Sequence, residues 1–284
     1  MRILAADFWS IEGVSYSLIA CPACGCVATD PIPTPAALAQ HYRDNFNFDW
    51  YRDHLPAKYV DAKRRLLELK PWLGRRILDF GGGLGYLSRA ARRLGHDSIT
   101  VDPYRGDTLS EIGRWDTVFA LHVLEHVPNP PATLALLHEC LEPGGTLVLA
   151  VPNALGRGYR EAGTEWTWFQ APITHLYHFT PMALARLVAR SGFSLLGLTF
   201  HERWDANTVA DIEHRQLTRM LGDEWQDTDD RAARQAIARR NSRYRFQALR
   251  TCRATRQNDQ ELAEIVLVAR RPTTAEAQEC PPSG

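Results

Sequence analysis

A glycine-rich turn after a short apolar run constrains the fold of this chain more than any other feature. The run RILDF (residues 76–80) leads directly into GGGLG (residues 81–85). A helical pattern over residues 86–94 follows, and a second apolar run over 98–101 ends at Asp102. Strand, turn, helix and strand in this order predict a βαβ unit, and therefore a parallel sheet.

The same alternation continues along the chain. Strands are predicted at residues 116–120, 146–151, 193–200 and 264–269, and helices at 58–69, at 131–141 and after Thr180-Pro181. The predicted fold class is α/β, a Rossmann-like and mostly parallel sheet with helices on both faces. The core domain comprises residues 56–206 and 261–271. Outside it we expect a Cys-cluster and aromatic lid region (1–55), a helical insert before the last strand (207–260) and a disordered tail (272–284).

Composition excludes several classes of protein. Apolar residues make up 45% of the 284 residues and charged residues 23%, which is enough for a buried core. Lys plus Arg and Asp plus Glu each total 33, so the protein is neither uniformly basic nor uniformly acidic. No apolar run approaches the roughly 18 residues of a membrane span. Asp7 and Glu12 interrupt the pattern of a signal peptide, and the six cysteines lack a secreted disulfide layout, so a soluble cytoplasmic protein is expected.

The spacing of the glycines separates two kinds of ligand. A glycine turn lets a ligand approach the backbone closely, and the helix behind it offers free N–H groups. A dinucleotide fingerprint requires G-x-G-x-x-G, but its third glycine would fall on Tyr86 or Ser88. The pattern present is D-x-G-x-G-x-G at residues 79–85, with Asp102 closing the second strand.

This pattern is followed by WDTVFALHVLEHVPNP, LEPGGTLVLAVPN and HLYHFTPMALARLVARSGF, in that order. Together these segments resemble the class I S-adenosylmethionine (SAM) dependent methyltransferases, especially the small-molecule subgroup that includes ubiquinone-type enzymes. The resemblance implies SAM as cofactor, S-adenosylhomocysteine (SAH) as product and a small-molecule acceptor in biosynthesis. Oxygen is the first expectation for the methylated atom, and nitrogen or carbon the second. The alternatives are a SAM-binding protein without methyltransferase activity, and an acceptor that is carrier-bound or phosphorylated.

The resemblance also implies a set of cofactor-binding residues. The carboxylate of Asp102 would accept both ribose hydroxyl hydrogens, and the glycine turn would lie under the methionine portion. The full set is Asp79, Gly81, Gly82, Gly83, Tyr86, Asp102, Pro103, Leu121 and His122. Residues 103–115 are too few for the family's usual helix and third strand. We therefore expect the edge strand to be missing, with Tyr104 or Asp107 substituting in the adenine contacts.

Histidines supply the candidate catalytic groups. His175 is the first choice for a general base or substrate-orienting group, with His178 beside it, because both precede the Thr180 helix at the ligand-binding edge of such a sheet. The alternative is that HLYHF is a packing motif. Trp166, Trp168 and Phe169 could line an apolar acceptor pocket, and the same pattern also fits aromatic residues of the core.

Two groups of residues have spacings that suit a metal, although we predict none. On a helix His122, Glu125 and His126 would share one face, as divalent ligands do. The same H-x-x-E-H order is an inverted zinc-protease signature, and in metal-free relatives this stretch supports the SAM loop. Cys21 and Cys24 have the spacing of half a zinc knuckle, which Cys26 and His41 could complete. A hairpin that packs without metal is favoured, because the second pair of cysteines is absent upstream.

Two further segments stand out by composition. Tyr42, Phe46, Phe48, Trp50 and Tyr51 are predicted to form a lid over SAM and acceptor. Residues 231–256 contain nine Arg and no Asp, Glu or Lys. A solvated helix face is the usual meaning of such a run, but unbalanced charge also fits an anionic partner. Nucleic acid is the least favoured partner, because no base-reading motif accompanies the arginines.

Overall fold

The computed structural model describes residues 1–11, 13–45, 55–108, 112–165, 174–201 and 263–279. Its strands are β1 (Arg2–Ile11), β2 (Val14–Ala20), β3 (Val27–Asp30), β4 (Arg76–Phe80), β5 (Asp97–Val101), β6 (Trp115–Leu121), β7 (Leu141–Pro152), β8 (Tyr177–His178), β9 (Ser194–His201) and β10 (Glu264–Arg270). Its α-helices are α1 (Pro35–Asn45), α2 (Leu55–Glu68), α3 (Tyr86–Arg93), α4 (Pro130–Glu139), α5 (Arg157–Ala162), α6 (Pro181–Arg190) and α7 (Thr274–Glu279). Short 3-10 turns lie at Lys70–Trp72, Pro103–Arg105 and Gly163–Glu165.

The central sheet has six strands in the order β5-β4-β6-β7-β10-β9. Strands β5, β4, β6 and β7 are parallel neighbours, whereas β10 runs antiparallel to both β7 and β9. This arrangement confirms the predicted mostly parallel α/β sheet. One predicted boundary is wrong, because Leu141 does not end a helix but begins β7. It pairs with Trp115 of β6, and a register shift follows between Trp115 and Thr117.

Helices cover both faces of this sheet, as predicted. Successive residues of a strand point to opposite faces, so Leu78 packs with α4 and α6 while Ile77 packs with α2 and α3. Leu78 and Ile77 are both fully buried. The carboxyl ends of the parallel strands therefore converge on one edge, where open α/β sheets bind ligands.

The segment between β5 and β6 is reduced, as its length predicts. In its described part it forms the 3-10 turn Pro103–Arg105 and no strand, so β5 is the edge of the central sheet there. Asp102 begins the turn, and its side chain accepts a hydrogen bond from the Tyr104 N–H.

The amino-terminal region forms a separate antiparallel sheet in the order β1-β2-β3-β8. The last of these strands belongs to the predicted HLYHF motif, since His178 pairs with Val27 and Tyr177 with Ala28. The hairpin expected from the cysteine segment is therefore joined to the segment that carries the candidate catalytic histidines.

The tail expected to be disordered (272–284) contains helix α7. Thr273 and Glu276 form a reciprocal capping pair, in which the Thr273 N–H donates to the Glu276 carboxylate at 2.8 Å and the Glu276 N–H donates to the Thr273 hydroxyl at 3.3 Å. This T-x-x-E capping box starts a helix despite the polar composition.

Several predicted features lie outside the described residues. They include the predicted helical insert (207–260) with its arginine run, the aromatic residues Trp166, Trp168 and Phe169, and the lid aromatics Phe46, Phe48, Trp50 and Tyr51. The backbone of Tyr42 belongs to α1. Among the described residues, no helix combines the length and apolar character needed to span a membrane.

Candidate active site

The glycine loop, residues 81–85, is shaped by its own backbone. Gly81, Gly83 and Gly85 all have left-handed φ angles (69°, 53° and 73°), which favour glycine. The Gly81 N–H donates to the Val101 carbonyl at 2.8 Å, so the loop is bonded to the end of β5. A Cβ on Gly82 would overlap the Asp79 carboxylate, and one on Gly81 would meet Val123. A side chain at Gly81 or Gly82 would therefore force the loop or its neighbours to shift.

Asp102 lies beside this loop at the end of β5. Its Oδ2 accepts the Gly83 N–H at 2.9 Å and its Oδ1 accepts the Tyr104 N–H at 3.0 Å. Asp107, an expected substitute in the adenine contacts, instead accepts the backbone N–H of Asp102 at 2.9 Å. Tyr104 is about half exposed. The predicted ribose acid is thus held rigidly next to the predicted cofactor loop.

Asp79 is buried beneath the loop. The Thr100 hydroxyl donates to its Oδ2 at 3.2 Å. Burial raises the pKa of Asp79 to about 7; the charge of Asp102 acts in the same direction, and the hydrogen bonds from Thr100 and the Ser88 backbone oppose it. Tyr86, the first residue of α3, is also buried, whereas Pro103 is exposed.

The segment after β6 packs against the loop. Leu121 ends β6, and His122 follows with a left-handed φ of 55°. The His122 N–H donates to the Ala150 carbonyl at 2.8 Å. Its ring nitrogens face two carboxylates, with Nε2 at 2.6 Å from Glu264 Oε1 and Nδ1 at 3.1 Å from Glu125 Oε1.

Residues 122–127 form a turn between β6 and α4, not the helix on which His122, Glu125 and His126 would share one face. His122, Glu125 and His126 do not form a three-donor group in this turn. Instead, Glu125, His126 and His175 place ligand atoms within 4.8 Å of one another. Oε2 of Glu125 is buried and, in the described part of the chain, lacks a hydrogen-bond partner. One carboxylate and two imidazoles form a donor set that zinc accepts.

His175 and His178 are both buried, at 5% and 1% exposure. The His175 ring lies 4.6 Å from that of His126 and 6.2 Å from that of His178. Burial, helped by the neighbouring imidazoles, lowers the pKa of His175 well below its usual value. Burial also lowers the pKa of His178 to about 3 and that of His126 below its usual value. We call Glu125, His126, His175 and His178 the histidine cluster; its imidazoles are neutral near pH 7.

The three cysteines lie in a tight turn, where the Gly25 N–H donates to the Cys21 carbonyl and the Cys21 N–H to the Cys26 carbonyl, both at 2.8 Å. Backbone N–H groups of Ala23 and Cys24 lower the pKa of the Cys21 thiol. Burial raises the pKa of Cys26 to about 12. Within the ranges that the structure describes, the three sulfurs form no three-donor group, and the side chain of His41 lies outside those ranges.

Two buried residues of the site escaped the sequence analysis. Glu264 begins β10 and bonds both His122 and Arg65, which lies on α2. Both are almost fully buried. A charged residue at the head of the apolar run EIVLVA is the signal that could have indicated Glu264.

Comparison with known proteins identifies a methyltransferase domain in this chain. A family model for a methyltransferase domain matches residues 51–198. The ubiquinone biosynthesis O-methyltransferase of Cereibacter sphaeroides is 29% identical over 181 residues, which cover 54% of this chain and 72% of that protein. The enzyme of the same name from Psychrobacter arcticus is 26% identical over 203 residues, covering 59% and 79%. Among solved structures, 1,6-didemethyltoxoflavin-N1-methyltransferase from Burkholderia thailandensis aligns with a TM-score of 0.48 at 15% identity, covering 94% of this chain and 99% of that one.

Proposed function

The chain belongs to the class I SAM-dependent methyltransferases, and we propose that it transfers the methyl group to an oxygen atom of a small-molecule acceptor. SAM supplies the electrophilic methyl group when bound. The protein must then align the acceptor and receive the proton that a hydroxyl group loses. Two relatives that bear the name O-methyltransferase support oxygen as the methylated atom.

In this proposal, the glycine loop and the carboxyl ends of β5 and β6 hold SAM. Asp102 accepts the ribose hydroxyls with lone pairs that its two backbone hydrogen bonds leave available. Asp79 and Gly81–Gly83 lie under the methionine portion, and Leu121 and His122 line the cofactor. The left-handed glycines support this placement, because they leave the backbone open to close approach.

The observation that carries the proposal is the buried histidine cluster beside the glycine loop. Val123 packs against Gly81, which brings the turn containing Glu125 and His126 next to the loop. His175 is therefore a neutral imidazole near the proposed methyl donor, and a neutral imidazole can accept a proton. His178 is paired in β8 and holds the segment in place.

The lowered pKa of His175 limits the class of acceptor. A weak base removes a proton efficiently only from an acidic hydroxyl, because proton transfer depends on the difference between the two pKa values. Phenols, with a pKa of about 10, suit such a base far better than aliphatic alcohols. We therefore propose a phenolic or enolic acceptor, methylated on oxygen.

The test is a survey of acceptors with labelled SAM, followed by mass spectrometry to locate the added methyl group. Phenols and enols should be methylated on oxygen. His175→Gln should lower kcat by about 100-fold or more, since general bases contribute about 10²–10⁴, while SAM affinity by calorimetry stays unchanged. His96→Gln, distant from the cluster and bonded to the Gly74 carbonyl, is the matched control. Methylation confined to nitrogen or carbon, or full activity of His175→Gln, would contradict the proposal.

A further inference from the structure

A continuous row of buried charged and polar groups connects α2 with the turn after β6. Nη2 of Arg65 donates to both oxygens of Glu264, at 2.8 and 2.7 Å. Oε1 of the same carboxylate lies 2.6 Å from Nε2 of His122. Nδ1 of His122 in turn lies 3.1 Å from Glu125 Oε1. These groups come from three parts of the chain, and only the His122 side chain is appreciably exposed, at 19%.

The backbone of His122 shows that its position is imposed. A left-handed φ in a residue other than glycine persists only where the surrounding structure enforces it. Here the backbone is held by the bond to Ala150, and the ring is held on both of its nitrogens. The orientation of the imidazole in the structure is thus fixed by Glu264 on one side and Glu125 on the other.

Glu264 is well suited to fixing this ring. It begins β10, whose register is set by pairing with Pro152 of β7 and His201 of β9. Arg65 neutralises its charge, and Asp61 of the same helix fixes Arg65 through a 3.1 Å contact to Nε. A buried carboxylate with a charged partner and a second donor is stable in one geometry.

We propose that Glu264 is a positioning residue of the cofactor site, which holds His122 in the orientation that contacts SAM. The inference rests on the proposed placement of His122 beside the cofactor. Arg65 serves as the anchor of Glu264 in this arrangement. The competing explanation is an ion pair that only joins α2 to β10.

The two explanations differ in what a double-mutant cycle measures. We would compare SAH affinity by calorimetry in the wild type, Glu264→Gln, His122→Asn and the double variant. A positioning role predicts that each single change weakens affinity by about tenfold, the effect of one charged hydrogen bond. It also predicts that the double variant loses no more than either single variant, because both remove the same contact.

A spectroscopic measurement adds a readout that a joining ion pair would leave unchanged. The ring-nitrogen signals of His122 in a 15N spectrum should shift on SAH binding in the wild type and lose this response in Glu264→Gln. Glu276→Gln is the matched control, because Glu276 also pairs with an arginine, Arg270, at 2.7 Å, but on the surface. It should keep both the affinity and the response.

Several results would overturn the inference. If the losses of SAH affinity in the cycle are additive, or if Glu264→Gln binds SAH with wild-type affinity, Glu264 only joins α2 to β10 and does not position His122. If His122→Asn binds SAH normally, the placement of His122 fails, while wild-type SAH binding still supports the cofactor site. If Glu264→Gln does not fold, Glu264→Asp is used in the same cycle, since it keeps the charge and withdraws the carboxylate from His122. Acceptor turnover does not enter these measurements. A failure of the proposed O-methylation would therefore leave them unchanged and can be told apart from a failure of the role of Glu264.

Discussion

The glycine loop and the histidine cluster are neighbours that are built in opposite ways. The loop consists of backbone: left-handed glycines, N–H donors and space that a single methyl group would fill. The cluster consists of buried side chains from distant parts of the chain, placed by mutual contact. The comparison teaches that the loop is sensitive to added volume, whereas the cluster is sensitive to a change of charge or hydrogen bonding.

The largest expected effect comes from adding volume to the loop. In Gly82→Ala the new Cβ would overlap the buried Asp79 carboxylate, so the loop or the carboxylate must shift. We expect SAM affinity, measured by calorimetry, to fall by about 100-fold or more, as displacements of about 1 Å do in such sites.

The matched control for this change is Gly197→Ala on strand β9. A Cβ at Gly197 meets no atom within 4 Å, and its φ is not left-handed. Affinity should therefore stay at the wild-type value. Normal SAM binding by Gly82→Ala would show that the loop tolerates volume and would break the comparison.

The second effect concerns the carboxylate beside the loop. Asp102→Asn keeps the size of the side chain but removes the charge and one acceptor oxygen, since the amide nitrogen cannot accept the N–H of Gly83 or Tyr104. SAM affinity should fall by about 10- to 100-fold, the range for hydrogen bonds to a charged group. Asp97→Asn, at the exposed start of the same strand, should change nothing; equal losses in the two variants would exclude a specific role for Asp102.

The third effect concerns Asp79, the buried carboxylate beneath the glycine loop, whose charge depends on pH. The folded protein keeps the Asp79 proton up to about pH 7, whereas the unfolded chain loses it near 3.8. The folded state thus binds more protons in this window, so this group lowers the free energy of unfolding as pH rises from about 4 to about 7. Above about pH 7 the buried charge of Asp79 lowers the free energy of unfolding by a few kcal/mol, at about 1.4 kcal/mol per pKa unit.

Asp79→Asn removes this pH dependence. Urea unfolding between pH 5 and 8 should show the variant gaining stability relative to the wild type as pH rises. The same series with Asp97→Asn, an exposed carboxylate of β5, provides the reference. A constant difference between Asp79→Asn and the wild type across the series would refute the raised pKa.

The smallest expected effect concerns the support of the histidine cluster. The Thr180 hydroxyl donates to the Cys24 carbonyl at 2.6 Å and accepts the Ala183 N–H at 3.1 Å, which caps α6 and joins it to the cysteine turn. Thr180→Ala should lower the free energy of unfolding by about 1–2 kcal/mol in urea titrations. Ser191→Ala, at the other end of α6, should cost less than about 0.5 kcal/mol; equal losses would contradict the joining role.

The contrast between the glycine loop and the histidine cluster also explains which features the sequence predicts. The loop, its strands and Asp102 are close in sequence, and their glycine spacing has a local physical meaning, so they were predicted. The link between Arg65 and Glu264 spans 199 positions, and no local pattern specifies it. The H-x-x-E-H spacing would suit one face of a helix, but a turn also brings positions i and i+3 together. Asn129 and Pro130 then start α4 only after the motif has ended.

The pairing of His201 with Glu264 gives the chain a natural exchange point. Strand β9 ends at His201 and β10 begins at its partner Glu264, so a hairpin turn of about two to five residues could replace residues 202–262 without shifting either strand. The nine arginines of 231–256 lie between these two strands in sequence, so they can be removed or exchanged together. Evolution, or a designer, can change this unit while the sheet and its glycine loop stay constant.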